Sequence, residues 1–194
     1  MTGTPDLSEK PTLRGEKVVL RPLVGDDAPA MAEILSDPEV RRLTGSVGTT
    51  AEAQRPQPLD DGLRHWYATR SQQPDRLDLA VVDAESGRVV GEVVLNEYDD
   101  GGRTTNLRCL LGPEGRGRGL GTEAVWLLCR YAFAVGIERV TLEVFEFNPR
   151  ARHVYEKVGF VPTGVRPEAL LFDGVEVAAL DMELTPRALS SSGR

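Results

Sequence analysis

Lysine is almost missing from this 194-residue chain. Only Lys10, Lys17 and Lys157 occur, and arginine supplies the remaining positive charge; the bias reads as genome composition and identifies no mechanism. Histidine is equally scarce. With His65 and His153 alone, a histidine-rich metal site is excluded and no metal is expected. The two cysteines, Cys109 and Cys129, sit in apolar contexts and are too few for a disulfide framework or a cysteine zinc site, so they are read as buried free thiols. No stretch approaches the roughly 20 apolar residues of a membrane span, and no membrane partner is expected. Residues 1–10, with Pro5, Asp6 and Glu9, show neither an apolar signal core nor an arginine-rich transit pattern, so a cytoplasmic location is expected. An excess of positive charge is also lacking: 23 Lys and Arg stand against 30 Asp and Glu, for a net charge of -7. That argues against nucleic acid as a partner, which needs a basic surface, and is compatible with cationic ligands such as amines.

What is present is globular: 40% hydrophobic and 27% charged residues. The length suits one domain, and there is no internal repeat or shift in composition. Residues 1–12 are read as a flexible lead, 13–185 as the domain and 186–194 as a flexible tail. A strand is expected over 14–23, a helix from Asp26 and Asp27 whose apolar face holds Ala30, Ile34 and Leu35, and a short helix over 39–43 after Pro38. Residues 45–58 read as loop and 59–72 as a helix carrying Trp66 and Tyr67. Strands follow over 77–82 and 88–95, then a hairpin signal at Asp99-Asp100-Gly101-Gly102 and a strand over 104–111. Leu120, Ala124, Leu127, Leu128, Tyr131 and Val135 recur at helical spacing, predicting an amphipathic helix over 119–135 that Gly136 stops. A strand over 138–147 leads to Asn148-Pro149, an N-cap followed by proline, which opens a helix ending at Gly159. Two last strands, 160–168 and 175–184, turn at Asp173-Gly174.

The segment Pro113-Glu114-Gly115-Arg116-Gly117-Arg118-Gly119-Leu120-Gly121-Thr122 lies between a strand and the long helix. Its alternating glycines let backbone approach a ligand, and the free N–H groups of the first helical turn favour an anion such as a phosphate or pyrophosphate. The P-loop pattern is absent, since no lysine follows the last glycine. The dinucleotide pattern fits only from Gly119 with Ala124 in third place, in the wrong strand context.

Arg116-x-x-Gly119-x-Gly121 matches the Q/R-x-x-G-x-G/A signature of the Gcn5-related N-acetyltransferases (GNAT). The run from Asn148 to Phe160 resembles that family's N-x-x-[AS]-x-x-x-Y-E-K-x-G-F helix. Leu13-Arg14, Leu20-Arg21-Pro22-Leu23 and Leu171-Phe172-Asp173-Gly174 resemble the branch of ribosomal-protein-alanine and spermidine acetyltransferases. The resemblance extends from Leu13 to Leu184. It implies an α/β fold: a single domain with a mixed, mostly antiparallel, splayed sheet flanked by helices, in which the 104–111 and 138–147 strands are parallel neighbours crossed over by the long helix. It implies acetyl-CoA as co-substrate and an amine as acceptor: a protein N-terminus, a polyamine, an aminoglycoside or another small amine. A catalytically silent CoA-binding protein on the same fold is the alternative. A homodimer is left open.

The resemblance also implies roles for residues. The pyrophosphate would lie on the turn formed by Arg116, Gly117, Arg118, Gly119, Leu120, Gly121 and Thr122, and pantetheine along Leu110 and Leu111 like an added strand. Asn148 would lie near the CoA arm, and Arg116, Arg118 and Arg152 would reach CoA phosphates or remain solvated. Tyr155 is the candidate acid for the departing thiolate. For the base, Glu97 ranks first, ahead of Glu92, Glu143, Glu146 or a water relay; Asn106 stands where the polyamine branch often has a glutamate. Trp66 and Tyr67 are candidate pocket walls, with the 45–58 loop as a cover.

Overall fold

A computed structural model describes residues 7–99, 101 and 103–189. Its elements, in order, are β1 (Leu13–Arg14), β2 (Val18–Pro22), a 3-10 turn (Gly25–Asp27), α1 (Ala28–Leu35), α2 (Pro38–Leu43), α3 (Thr50–Ala53), α4 (Asp61–Arg70), β3 (Leu77–Asp83), β4 (Val89–Asp99), β5 (Thr104–Leu111), a second 3-10 turn (Pro113–Gly115), α5 (Leu120–Ala134), β6 (Arg139–Phe145), α6 (Pro149–Val158), β7 (Val161–Phe172) and β8 (Val175–Leu184). The strands form one eight-stranded sheet in the order β1-β2-β3-β4-β5-β6-β8-β7. All neighbours are antiparallel except β5 and β6.

Local chemistry sets the helix ends. Asp37, Asp60 and Asn148 accept the N–H of Val40, Leu63 and Ala151 and so start α2, α4 and α6. Gly159 ends α6 at φ 117°, where a Cβ would lie 2.0 Å from the carbonyl of Ala188, so both backbone angle and space require glycine. The period-2 alternation of the strands splits the core in two. Leu79, Val81, Val93, Leu95 and Leu107 face α5, while Ala80 faces α1 and α4 with Met31 and Tyr67.

β5 and β6 pair only from Thr104–Arg139 to Asn106–Thr141. Beyond that they separate, and Leu107–Leu111 is left with a strand neighbour on the β4 side alone. This gap is the expected splay, and α5 is the crossover connection that parallel neighbours need.

Several boundaries differ from the sequence reading. The strand expected over 14–23 is a hairpin, because Gly15 N–H bonds back to Val18 C=O. The 45–58 loop contains α3, capped by Thr49. β4 continues to Asp99 past an irregularity after Asn96, β6 stops at Phe145, and β7 runs to Phe172. Asp100 and Gly102 of the expected hairpin lie outside the described residues, as do 1–6 and 190–194. The lead is anchored from Leu7, which is buried, and Lys10 Nζ donates to the carbonyls of Leu7, Gln73 and Arg76 at 2.5–2.7 Å. At the other end, Ala188 and Leu189 pack on the main core.

One buried charge ties the first hairpin to the long helix. The Glu123 carboxylate, in the first turn of α5, accepts the N–H groups of Glu16, Lys17 and Val18 at 2.9, 2.7 and 2.8 Å. A Cβ on Gly15 would meet that carboxylate at 2.5 Å. Glu123→Gln turns one acceptor oxygen into a donor facing those N–H groups. It should cost about 2 kcal/mol of unfolding free energy, read by urea denaturation. An unchanged midpoint would show that the hairpin holds without it.

Candidate active site

The splay opens onto a cleft of about 1580 Å³ that both faces of the sheet reach. Its first wall is the glycine turn. Gly117 and Gly119 have φ of 73° and 82°, left-handed values that L side chains resist. Arg116 N–H donates to Pro113 and Glu123 N–H to Gly119, whereas the amides of 117–122 donate to no backbone carbonyl among the described residues. A run of free N–H groups at the start of a 15-residue helix is an anion cradle.

Of the three arginines expected at CoA phosphates, only Arg116 lines the cleft, and its side chain is committed. It pairs with Asp37 at 3.1 Å and with Glu39, and donates to the carbonyl of Leu111 at 3.1 Å. Arg118 pairs with Asp83 and Glu85, both at 2.9 Å, and Arg152 with Glu156 at 2.8 Å; neither is in the cleft wall. Arg150, which the sequence reading did not select, is in the wall and pairs with Glu39. Leu120 is buried beneath the turn and does not line the cleft, whereas Gly117, Gly119, Gly121 and Thr122 do.

The second wall is β5. Gly112 N–H donates to Val90 on the β4 side, and Leu111 C=O is taken by Arg116 on the other. By the alternation of an antiparallel ladder, Cys109 turns its N–H and C=O to the open edge and Leu110 turns its own towards β4. An extended ligand arm along β5 therefore meets the backbone of Cys109, with Leu110 and Leu111 as side-chain neighbours. Burial pushes the Cys109 thiol up to about 12, so it stays protonated and unreactive.

The third wall is α6. Asn148 lines the cleft and caps the helix through Oδ1, 3.2 Å from Ala151 N. Tyr155 is 6% exposed, its ring centroid 5.8 Å from that of Phe160. Its hydroxyl makes no hydrogen bond to another described residue, and burial raises its pKa, so it is a neutral proton donor at any physiological pH.

The floor beside β4 carries the carboxylates. Glu97 is exposed at the rim, at the strand irregularity with φ 55°. Glu92 lies opposite Ala80, on the face covered by α1 and α4, near Tyr67. Burial, then the nearby Asp78, pushes its pKa up from 4.5 to about 7, against the opposing pull of Arg108, Arg76 and Arg70. Across the cleft, Glu143 on β6 lines the wall but pairs with Arg166, and Glu146 lies outside the wall and accepts from Ala178 N at 3.3 Å. Asn106 donates to Asn96 at 3.0 Å. Trp66 and Tyr67 both line the cleft: Tyr67 is buried and Trp66 half exposed, with the Arg70 guanidinium 3.6 Å from its ring centroid. Gly45, Ser46 and Gln57 of the 45–58 segment also reach it. No group of three or more metal-ligating side chains occurs among the described residues.

Comparison with known proteins identifies the family. The acetyltransferase (GNAT) domain family matches residues 17–161. An N-acetyltransferase 9-like protein of Caenorhabditis briggsae is 29% identical over 168 residues, covering 79% of each chain. Spermidine N(1)-acetyltransferase of Escherichia coli K12 is 34% identical over 93 residues, 47% of this chain and 48% of that one. Among solved structures, Mycobacterium smegmatis RimJ in complex with CoA-disulfide superposes with a TM-score of 0.80 at 20% identity, covering 96% of this chain and 92% of that one. Spermidine N-acetyltransferase from Vibrio cholerae in complex with CoA and spermine gives 0.77 at 20% identity, covering 90% and 98%. The chain belongs to the GNAT family of N-acetyltransferases.

Proposed function

We propose that the protein transfers an acetyl group from acetyl-CoA to a primary amine by direct attack in a ternary complex. The observation that carries this reading is the cleft itself, in which a free-amide anion cradle, an open strand edge, a neutral tyrosine with no hydrogen-bond partner among the described residues and a half-buried carboxylate converge. The pyrophosphate rests on the amides of 117–122, and pantetheine runs along β5 against Cys109, Leu110 and Leu111. Asn148 stands beside that arm. No step passes through a metal.

Three proton movements are needed: two off the nitrogen and one onto the sulfur. An alkylammonium with pKa near 10.4 is neutral in only about one molecule in 10³ at pH 7, a cost of roughly 4–5 kcal/mol. The base must remove that proton before the nitrogen lone pair attacks the thioester carbonyl. Glu92 fills this role, because a carboxylate with pKa about 7 is matched to taking and holding a proton near neutral pH. The C–S bond then breaks, its electron pair stays on sulfur and Tyr155 Oη gives the thiolate its proton, while the second nitrogen proton leaves through water, which yields the neutral amide and restores the tyrosine. Alignment of amine and thioester supplies much of the remaining rate.

Replacing Gly119 with alanine tests the cradle. At φ 82° an L side chain is strained, so the turn relaxes and takes its amides with it; the Cβ itself, 3.0 Å from Lys17 Nζ, asks only that flexible side chain to move. Acetyl-CoA affinity by calorimetry should fall about tenfold, while the strain lowers stability by only about 1–2 kcal/mol. Wild-type affinity in that variant would refute a phosphate site on this turn, and absence of thiol release from acetyl-CoA with every amine tried would refute transfer.

A further inference from the structure

Five arginines line the cleft, and the disposition of their charge is informative. Most of the arginines there are neutralised inside the protein. Arg76 meets Asp78 through two hydrogen bonds of 2.7 Å, Arg116 meets Asp37 and Glu39, Arg150 meets Glu39, and Arg166 meets Glu143 and Asp181. Arg108 differs. It lines the cleft, is exposed, and forms no ion pair among the described residues.

Its position in the sheet places it at the acceptor end. Arg108 lies on β5 two residues past the last β5–β6 pair, where the splay has begun. It stands opposite Val94, which stands opposite Asp78, so the row Asp78, Val94, Arg108 crosses the cleft floor. Glu92 is its diagonal neighbour on the same face, at a spacing of about 7–8 Å between strands that long side chains bridge. Arg76 neutralises Asp78 at the far end of the row. A second ammonium on the acceptor would therefore meet a guanidinium in this floor, and an anionic oxygen group would find a planar fork of N–H donors.

We propose that the natural acceptor is an amine that also carries a carboxylate, amine to Glu92 and carboxylate to Arg108, and not a polyamine. This rests on the transferase reading above and narrows its substrate class. A charged hydrogen-bonded pair of this kind contributes on the order of tenfold or more in discrimination.

The test is a matched acceptor panel followed by thiol release from acetyl-CoA: L-alanine and 4-aminobutyrate, their amides, and 1,4-diaminobutane and spermidine. Assays run at about pH 8.5, where Glu92 is ionised. At least one carboxylate-bearing amine should exceed its amide and the diamines by about tenfold in kcat/KM. Arg108→Gln should abolish that preference through KM, with acetyl-CoA affinity and melting temperature as in the wild type. If the diamines win, or the carboxylate preference survives in Arg108→Gln, the proposal fails while transfer to amines stands; the exposed Glu97 would then be the group to examine for the second ammonium. If acetyl-CoA binds but no amine releases thiol, the proposal and the transferase reading fail together.

Discussion

Glu92→Gln should lower kcat by about 10³-fold at saturating amine, within the range that general-base catalysis supplies. The amide keeps the size of the side chain and removes the only property the reaction uses, its capacity to take a proton. In the wild type, activity should rise with pH through about 7 as Glu92 ionises, then level off, and the variant should lose that inflection. Stability moves the other way. The pKa of Glu92 is raised on folding, so between pH 4.5 and about 7 the folded protein keeps a proton that the unfolded chain has released. Stability from this group is therefore fully present below that window and falls as pH rises through it. Glu92→Gln cannot ionise, so it should melt no lower than the wild type at pH 8. Loss of activity together with retained or raised melting temperature identifies a base. A variant that loses both equally, or that keeps its activity, would return the role to Glu97 or to water.

The glycine turn and the two helices after it were legible from the sequence because their chemistry is local. Gly117 and Gly119 sit at positive φ, Asn148-Pro149 caps a helix, and Gly159 closes it, all consequences of residue type alone. The splay was legible only through family resemblance, since nothing in 104–111 or 138–147 says where two strands part. Side-chain roles that depend on tertiary neighbours were harder to read. Arg118 and Arg152 are placed beside a phosphate turn by sequence, yet their carboxylate partners, Asp83, Glu85 and Glu156, take them out of the cleft. The ranking of Glu97 ahead of Glu92 likewise rests on strand position alone. Alternation puts a residue on a face, but burial depends on which helices cover that face, and α1 packs on β4 over the face that carries Glu92 while the strand irregularity after Asn96 turns Glu97 to solvent. Glu123 left one usable signal, an acid at an inward position of an otherwise apolar helix; Arg108 left none, because an exposed arginine on a strand is ordinary until its neighbours are known.

Tyr155→Phe should lower kcat by about 10²-fold, the lower end of the range for general-acid catalysis, because the CoA thiol is already a fair leaving group. The substitution removes one oxygen and leaves the ring against Phe160. The hydroxyl has no hydrogen-bond partner among the described residues, so no buried group is left unsatisfied and the melting temperature should stay within about 1–2 °C, the shift expected from a few tenths of a kcal/mol in a chain of this size. Acetyl-CoA affinity should also hold, since the contact with sulfur strengthens only as the C–S bond breaks. A tyrosine kept for packing predicts a different result, with stability carried by the ring and kcat indifferent to the oxygen. The raised pKa of Tyr155 adds a second discriminator. An acid that stays protonated across the accessible range imposes no descending limb on the pH profile, so once Glu92 is ionised activity should remain on its plateau from about pH 8 to about pH 9. Retention of kcat within about threefold in Tyr155→Phe, far short of the general-acid range, would mean that water protonates the thiolate and that the tyrosine serves only the core.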